Sequence, residues 1–155
     1  MSGRVSGLWF EQFEVGMQVE HVTTRTVTET ANVLFTTMTM NPQPLHLDAE
    51  FAATSEFSRP MVNSLFTLGL VVGLAVPKLT LGTTVANLGF SSVDFPSPVF
   101  AGDTIHVVTD VTQVRRSRSR PGAGLVTLDH HGINQRNQEV CRAVRTAMTR
   151  CRPGE

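Results

Sequence analysis

The chain has 155 residues, of which 41% are hydrophobic and 17% are charged. This length allows one sizeable core but not two ordinary domains, and the composition is that of a globular protein. Its 13 lysines and arginines balance 13 aspartates and glutamates, which argues against a general binder of nucleic acid or anionic membrane, because such proteins usually carry an excess of positive charge. We expect a single domain over residues 1–155, with a core from 8 to 150 and short flexible ends.

Three features of the sequence indicate a cytoplasmic protein. The first residues, Met1–Gly7, lack the apolar core of a signal peptide. Cys141 and Cys151 show no pairing pattern, so we expect free thiols in a reducing compartment. The most apolar run, Met61–Val76, falls short of the ~20 apolar residues that a membrane span requires. We therefore predict no membrane association.

The first third of the chain predicts a strand, a helix and a rigid turn. Gln18–Thr28 is rich in β-branched residues and is predicted to be a strand. A helix is predicted over Glu29–Thr39. Two prolines then make Asn41–His46 a rigid, non-helical tract that can aim Asn41 and His46 at one point. A short helix follows over Ala49–Ser55, with Asp48 as its N-cap.

A long apolar helix is predicted next. Arg59 and Pro60 would open it, since proline suits the first turn of a helix. Apolar residues occur on nearly every face, which predicts burial on nearly every side. Gly69 and Gly73 would leave one face that a strand or a second helix could approach closely.

The rest of the chain predicts β-structure. Four strand-length segments are bounded by turn residues: Thr83–Phe95, Thr104–Arg116, Gly124–Ile133 and Glu139–Arg150. In the second of these, Ile105, Val107 and Val111 share one face, as in a half-buried strand. A buried helix followed by antiparallel strands predicts an α+β domain in which a sheet wraps a central helix.

Three segments carry distinctive motifs, Asn41–Asp48, Arg59–Ser64 and Phe95–Thr104. In chain order they resemble those of the MaoC-like, R-specific enoyl-CoA hydratases. Asn41-Pro-Gln-Pro-Leu-His-Leu-Asp48 resembles the hydratase motif Asp-x-Asn-Pro-(Leu/Ile)-His-x-Asp. Arg59-Pro-Met-Val-Asn-Ser64 resembles the segment that enters the central helix, where the family commonly has His-Gly at the last two positions. Phe95-Pro-Ser-Pro-Val-Phe-Ala-Gly-Asp-Thr104 matches the family segment Phe-x-x-Pro-Val-x-x-Gly-Asp-Thr. The resemblance covers nearly the whole chain and implies the hot-dog fold.

The resemblance implies a hydro-lyase that adds water reversibly to the double bond of an α,β-unsaturated acyl-CoA. The tract from Ser117 to Gln135 is more similar to a subgroup associated with branched dicarboxylyl-CoA esters such as mesaconyl-CoA or itaconyl-CoA. Coenzyme A would be part of the substrate, so no separate cofactor is expected. Members of the family commonly pair into dimers with active sites at the interface, so the resemblance implies a homodimer or a higher oligomer, and edge strands generally need such cover.

The resemblance also assigns roles to individual residues. His46 would transfer protons, Asn41 occupies the position of the usual catalytic aspartate, and Asn63 and Ser64 lie at the helix end that would stabilise the thioester oxyanion. The predicted substrate-binding residues are Gln43, Arg59, Arg115 and Arg118. Guanidinium groups bind phosphates and carboxylates through paired hydrogen bonds.

Asn41 departs from the family pattern, which has an aspartate at this position. A carboxamide cannot accept a proton at neutral pH. Three explanations stay open from the sequence. His46 performs the proton transfers alone, another carboxylate such as Asp48 or Asp94 replaces the missing one, or the chain binds acyl-CoA without turning it over. The last of these is the alternative function, a catalytically silent acyl-thioester-binding protein.

Each candidate residue also has a purely structural interpretation. His46 could be a hydrogen-bonded structural histidine, and Asn63 and Ser64 could simply cap the long helix. The basic run Arg115–Arg120 could be a solvated hairpin, and it lacks the interleaved aromatic residues of an RNA-binding surface. His130 and His131 point to opposite faces of a strand and so make a poor pair of metal ligands. We predict no metal site.

Overall fold

Five antiparallel strands form one sheet in the order β1-β3-β4-β5-β2. The computed structural model describes residues 6–154. The strands are β1 Gln18–Thr26, β2 Thr84–Asp94, β3 Thr104–Arg116, β4 Ala123–Asn134 and β5 Glu139–Arg150. All the predicted strands are present, and each lies within two residues of its predicted bounds. The predictions for residues 1–5 and 155 lie outside the described residues.

Within residues 6–154, a short 3-10 turn over Phe10–Gln12 precedes β1, and four α-helices lie between β1 and β2. They are α1 Glu29–Met38, α2 Pro44–Leu47, α3 Ala49–Ala53 and α4 Ser64–Leu79. Thr28 caps α1 by accepting a hydrogen bond from the Ala31 N–H at 3.1 Å. Asp48 caps α3 by accepting one from the Phe51 N–H at 3.0 Å, which confirms its predicted role as an N-cap. Among residues 6–154, no helix is both long enough and apolar enough to cross a membrane.

The predicted start of the long helix was wrong. The helix begins at Ser64 rather than at Arg59 and Pro60, and it ends at Leu79. The preceding segment is held in place by distant partners, because the Met61 N–H donates to Leu45 O at 3.1 Å and the Val62 N–H to Val99 O at 2.9 Å. These bonds compete with a helical start.

The tract that leads to His46 is not wholly non-helical. Pro44 starts the one-turn helix α2, and His46 lies inside it. A proline at the first position of a helix loses only an N–H that has no partner within the helix, so Pro44 favours this start rather than preventing it. The prediction of a non-helical tract was therefore wrong for Pro44–His46.

The core lies between α4 and one face of the sheet. Val71 and Ala75 of α4 are fully buried, and Gly132 of β4 lets the helix approach, since a Cβ atom there would lie 2.4 Å from Val71 Cγ2. On β3, Ile105 and Val107 face the helix at 0% and 1% exposure. The predicted sheet on a central helix is confirmed.

The opposite face of α4 is open. Leu65 is 58% exposed, and a Cβ atom added at Gly69 or Gly73 would have nothing within 4 Å among the described residues. The prediction that α4 is buried on nearly every side was therefore wrong for a single chain. The close neighbour predicted beside Gly69 and Gly73 is not supplied by residues 6–154.

A buried hydrogen-bond chain crosses four strands beneath α4. Arg145 Nε donates to His130 Nε2 at 2.8 Å, and His130 Nδ1 then donates to Thr109 Oγ1 at 2.7 Å. The Thr109 hydroxyl is left to donate to His21 Nε2 at 2.9 Å. Burial lowers the pKa of His130 to about 3, assisted by the charge of Arg145, and burial lowers the pKa of His21 to about 4.

Both cysteines are free thiols, as predicted. Cys141 is buried in the core and Cys151 is half-buried near the end of the chain. Burial raises the pKa of the Cys141 thiol to about 11, so this cysteine is a small apolar core residue rather than a reactive one.

Candidate active site

The His46 ring is held by a backbone carbonyl. Its Nδ1 atom lies 2.7 Å from the Met61 carbonyl oxygen. A carbonyl can only accept, so Nδ1 carries the proton and Nε2 keeps a lone pair. The imidazole is therefore fixed in the tautomer that presents a base at Nε2, on a half-buried side chain.

The same carbonyl belongs to a buried amide network centred on Asn32. The Asn32 side chain is 3% exposed. Its Nδ2 atom donates to the carbonyl oxygens of His46 and Met61, at 3.3 and 3.5 Å. Its Oδ1 atom accepts from the Asn63 N–H at 2.9 Å and from the Thr36 hydroxyl at 3.4 Å. One side chain of α1 thus joins the His46 turn to the start of α4.

Asn63 and Ser64 form the N-terminal end of α4, as predicted from the family segment. The buried Asn63 side chain caps the helix by accepting from the Leu65 N–H at 3.0 Å. Its backbone N–H is already bonded to Asn32, so it cannot also serve a substrate. The Ser64 N–H has no acceptor within residues 6–154 and points out of the positive end of the helix dipole.

The Asn41 side chain forms a hydrogen bond within its own turn. Its Oδ1 atom accepts from the Gln43 N–H at 3.0 Å, and its backbone N–H donates to Thr36 O at 3.0 Å. The oxygen of the carboxamide is therefore engaged in an Asx-type turn, whereas the NH₂ group has no partner among the described residues. Asn41 can offer a donor but not a base.

An apolar cavity of about 430 Å³ opens beside the start of α4. Met61 and Ser64 line it, and Thr67 adds a hydroxyl. The other lining residues are mostly apolar: Phe57, Val62, Phe95, Pro96, Ser97, Pro98, Val99 and Val140. His46 does not line this cavity, but the Met61 carbonyl connects the two.

The predicted arginines separate into two groups. Arg59 stacks over the Phe100 ring at 3.9 Å and lines a smaller cleft of about 180 Å³ next to Asn32. Arg115 and Arg118 line a different cleft of about 600 Å³. That cleft is at the far end of β3, roughly 35 Å along the strand from the end near the active site.

Hydrogen bonds through Asn32 join His46 to Asn63 and hence to the start of α4, and Arg59 lines a cleft with Asn32. Asn41 is linked to α1 by its N–H bond to Thr36 O, whereas Arg115 and Arg118 line a separate cleft. Of the carboxylates that could replace the missing aspartate, Asp48 is committed to capping α3. Asp94 ends β2 in register with Arg142, next to the cavity residue Phe95.

Asn32 and Thr36 were not predicted as site residues. They lie four positions apart in α1 and are its two buried residues. Two polar side chains at this spacing share one helix face, and that was the signal available in the sequence. What they bind could not be inferred, because three of the four partners of Asn32 lie 14, 29 and 31 residues away.

Comparisons with known proteins identify the family of the chain. Residues 10–133 match the family described as MaoC like domain. The β-methylmalyl-CoA dehydratase of Chloroflexus aurantiacus is 31% identical over 146 residues, which are 94% of this chain and 41% of that protein. The mesaconyl-CoA hydratase of Cereibacter sphaeroides is 31% identical over 147 residues, 95% of this chain and 42% of the relative.

The fold matches as well. A Mycobacterium tuberculosis protein described as having a double hotdog fold superposes with a TM-score of 0.87 at 22% identity, over 98% of this chain and 47% of that one. The predicted hot-dog fold is confirmed. The chain spans about two fifths of the length of the two relatives above. The chain belongs to the MaoC-like domain family.

Proposed function

We propose that this chain is a hydro-lyase that adds water reversibly to the double bond of an α,β-unsaturated acyl-CoA. The observation that carries the proposal is the His46–Met61 hydrogen bond of 2.7 Å, which leaves Nε2 as a base. Through Asn32 this base is linked to Asn63, the residue before Ser64, whose N–H has no acceptor among the described residues. Met61 and Ser64 both line the apolar cavity. The two enzymes named above, which act on CoA esters according to their names, support the assignment.

The reaction can run with one acid–base group. His46 Nε2 takes a proton from water as the water oxygen bonds to Cβ of the substrate, and the electron pair of the double bond moves toward the thioester. The Ser64 N–H stabilises the resulting negative charge on the thioester oxygen. The imidazolium then returns the proton to Cα, which completes a syn addition and regenerates the neutral histidine.

Asn41 would orient the water or the substrate with its free NH₂ group. We infer that this suits an enoyl group with a second carboxylate, as in itaconyl-CoA or mesaconyl-CoA. An aspartate at position 41 facing a substrate carboxylate at ~4 Å would raise the energy by about 4 kcal/mol at an effective dielectric constant near 20. Asparagine removes that repulsion and offers a donor instead.

We also propose a homodimer. Strand β2 is an edge strand, and most of its residues are exposed, so its outer hydrogen-bonding groups can pair with a second copy. The open face of α4, with the exposed Leu65, would be covered in the same assembly. Arg115 and Arg118 line a cleft that contains neither His46 nor any residue hydrogen-bonded to Asn32. We therefore assign them to the site of the second protomer.

A spectrophotometric assay tests the function. Purified protein is mixed with crotonyl-CoA, mesaconyl-CoA or itaconyl-CoA, and loss of the enoyl-thioester absorbance is followed. Turnover is expected for the dicarboxylyl esters and should be lost in His46→Ala but retained in His106→Ala, a matched control on β3. Binding of CoA esters without any turnover would instead support the silent acyl-thioester-binding protein.

A further inference from the structure

The buried carboxamide of Asn32 uses all of its hydrogen-bonding capacity. Its oxygen accepts two bonds and its NH₂ group donates two, and its partners lie in three separate segments. The orientation of the amide follows from these partners, since two are carbonyls that only accept and one is a backbone N–H that only donates. A fully satisfied polar group at 3% exposure specifies one arrangement of its neighbours.

The first consequence concerns the base. The Asn32 NH₂ group holds the carbonyl of His46 and the carbonyl of Met61 at 3.3 and 3.5 Å. The Met61 oxygen is also the acceptor that fixes the His46 ring. The amide therefore sets the separation between the histidine and the carbonyl that determines its tautomer.

The second consequence concerns the oxyanion donor. The 2.9 Å bond from the Asn63 N–H to Asn32 Oδ1 is the shortest of the four. It removes one of the two predicted donors at the start of α4 and leaves the Ser64 N–H for the substrate. The same bond fixes the direction from which α4 begins.

We propose that Asn32 is a positioning residue that fixes both the tautomer of His46 and the position of the Ser64 N–H, the single oxyanion donor. The predicted effect on turnover rests on the proposed hydratase function, whereas the predicted effect on the His46 tautomer does not. A displacement of about 1 Å in such a site can cost about 100-fold in rate, so the role predicts a loss in kcat rather than in substrate binding.

Two variants test the hydrogen-bonding functions of the Asn32 amide. Asn32→Asp keeps the oxygen that accepts from Asn63 but replaces the NH₂ donor, so a carboxylate would face the His46 and Met61 carbonyls. Asn32→Leu removes both functions at similar size. Thr37→Val is the matched control, because it deletes another side-chain hydrogen bond of the same helix, from Thr37 Oγ1 to Val33 O at 2.7 Å, on its exposed side.

The decisive measurement is the protonation pattern of the His46 ring by long-range ¹H–¹⁵N NMR, with the resonance assigned by its loss in His46→Ala. In the unmodified protein and in Thr37→Val we expect protonated Nδ1 and bare Nε2 at pH 8. In Asn32→Asp we expect a mixture of tautomers, with kcat reduced about 100-fold and KM little changed.

The outcomes are distinguishable. An altered His46 tautomer in Asn32→Asp, in a protein that turns over no thioester, would support the positioning role and refute the hydratase. A folded Asn32→Asp variant with an unchanged tautomer and kcat would overturn the inference. Failure of both Asn32 variants to fold would also overturn it, because it would show that Asn32 is needed for folding and not specifically for positioning.

Discussion

The side-chain oxygen of Asn41 lies 3.0 Å from the backbone nitrogen of Gln43 and accepts its hydrogen. An aspartate at position 41 could make the same bond, because either side chain accepts from the N–H two residues on. Asn41→Asp therefore changes the charge of the candidate site while it keeps the turn. This makes it a clean test of the proposed substrate.

We expect Asn41→Asp to fold normally and to lose kcat/KM for itaconyl-CoA by about 10- to 1000-fold, since repulsion of up to about 4 kcal/mol is introduced. Crotonyl-CoA has no second carboxylate and should be affected much less. Steady-state kinetics on both substrates provide the comparison. Faster hydration of itaconyl-CoA by the variant, with unweakened binding, would rule out the carboxylate argument.

Ser64→Pro should remove the proposed oxyanion donor and little else. Ser64 is the first residue of α4, where proline is favoured, and Asn63 already has the extended ψ of 125° that a following proline requires. We expect kcat to fall by about 100- to 1000-fold, as when one oxyanion donor is lost.

Ser64→Ala, which keeps the N–H, is the matched comparison for this prediction and should stay within severalfold of the unmodified chain. Circular dichroism would verify that α4 is intact in both variants. Equal rates for Ser64→Pro and Ser64→Ala would show that the N–H takes no part in the reaction.

Asp103 should contribute to stability in a pH-dependent way. Burial alone would raise its pKa, but hydrogen bonds from the Gln135 side chain and the Phe100 N–H, together with Arg136, lower it overall. A lowered pKa means that this contribution is present above pH ~4, the pKa range of an unfolded aspartate, and is lost as the pH falls through the folded value.

Asp103→Asn should therefore reduce the free energy of unfolding by about 2 kcal/mol at pH 7 and less below pH 4. Glu14→Gln changes an exposed carboxylate and should leave stability nearly unchanged. Urea unfolding across this pH range measures both. A constant difference between Asp103→Asn and the unmodified protein at every pH would contradict the prediction.

The buried histidines predict loss of stability in mild acid. His21 and His130 have pKa values lowered to about 4 and about 3, whereas an unfolded histidine titrates near 6.5. Between these values the unfolded chain binds more protons than the folded one, so stability falls as the pH drops from 6.5 toward 4, by up to about 1.4 kcal/mol per pH unit for each histidine.

His21→Gln cannot titrate and should have a shallower pH slope over this interval, whatever its absolute stability. Thermal or urea unfolding at several pH values compares the slopes. An identical slope in the variant and the unmodified chain would show that His21 does not stay neutral in the folded protein.

Much of the site was predictable because its signals are local. Asn41 and His46 are five positions apart, and the turn between them is set by prolines and by the bond from the Gln43 N–H to the Asn41 side chain. The Asp48 cap likewise follows from a side chain that reaches an N–H three residues away. Residue type and spacing are enough to specify such contacts.

The sequence by itself determined the strands, the central helix, the order of the motifs and the departure at Asn41, since periodicity and turn chemistry act over a few residues. Only the tertiary structure decided where α4 begins, what Asn32 binds and which cleft Arg115 lines. The start of α4 depends on Val62 bonding to Val99, and the Asn32 network on partners up to 31 residues away. Contacts of this kind form only when the sheet and α4 have packed, and local spacing does not encode them.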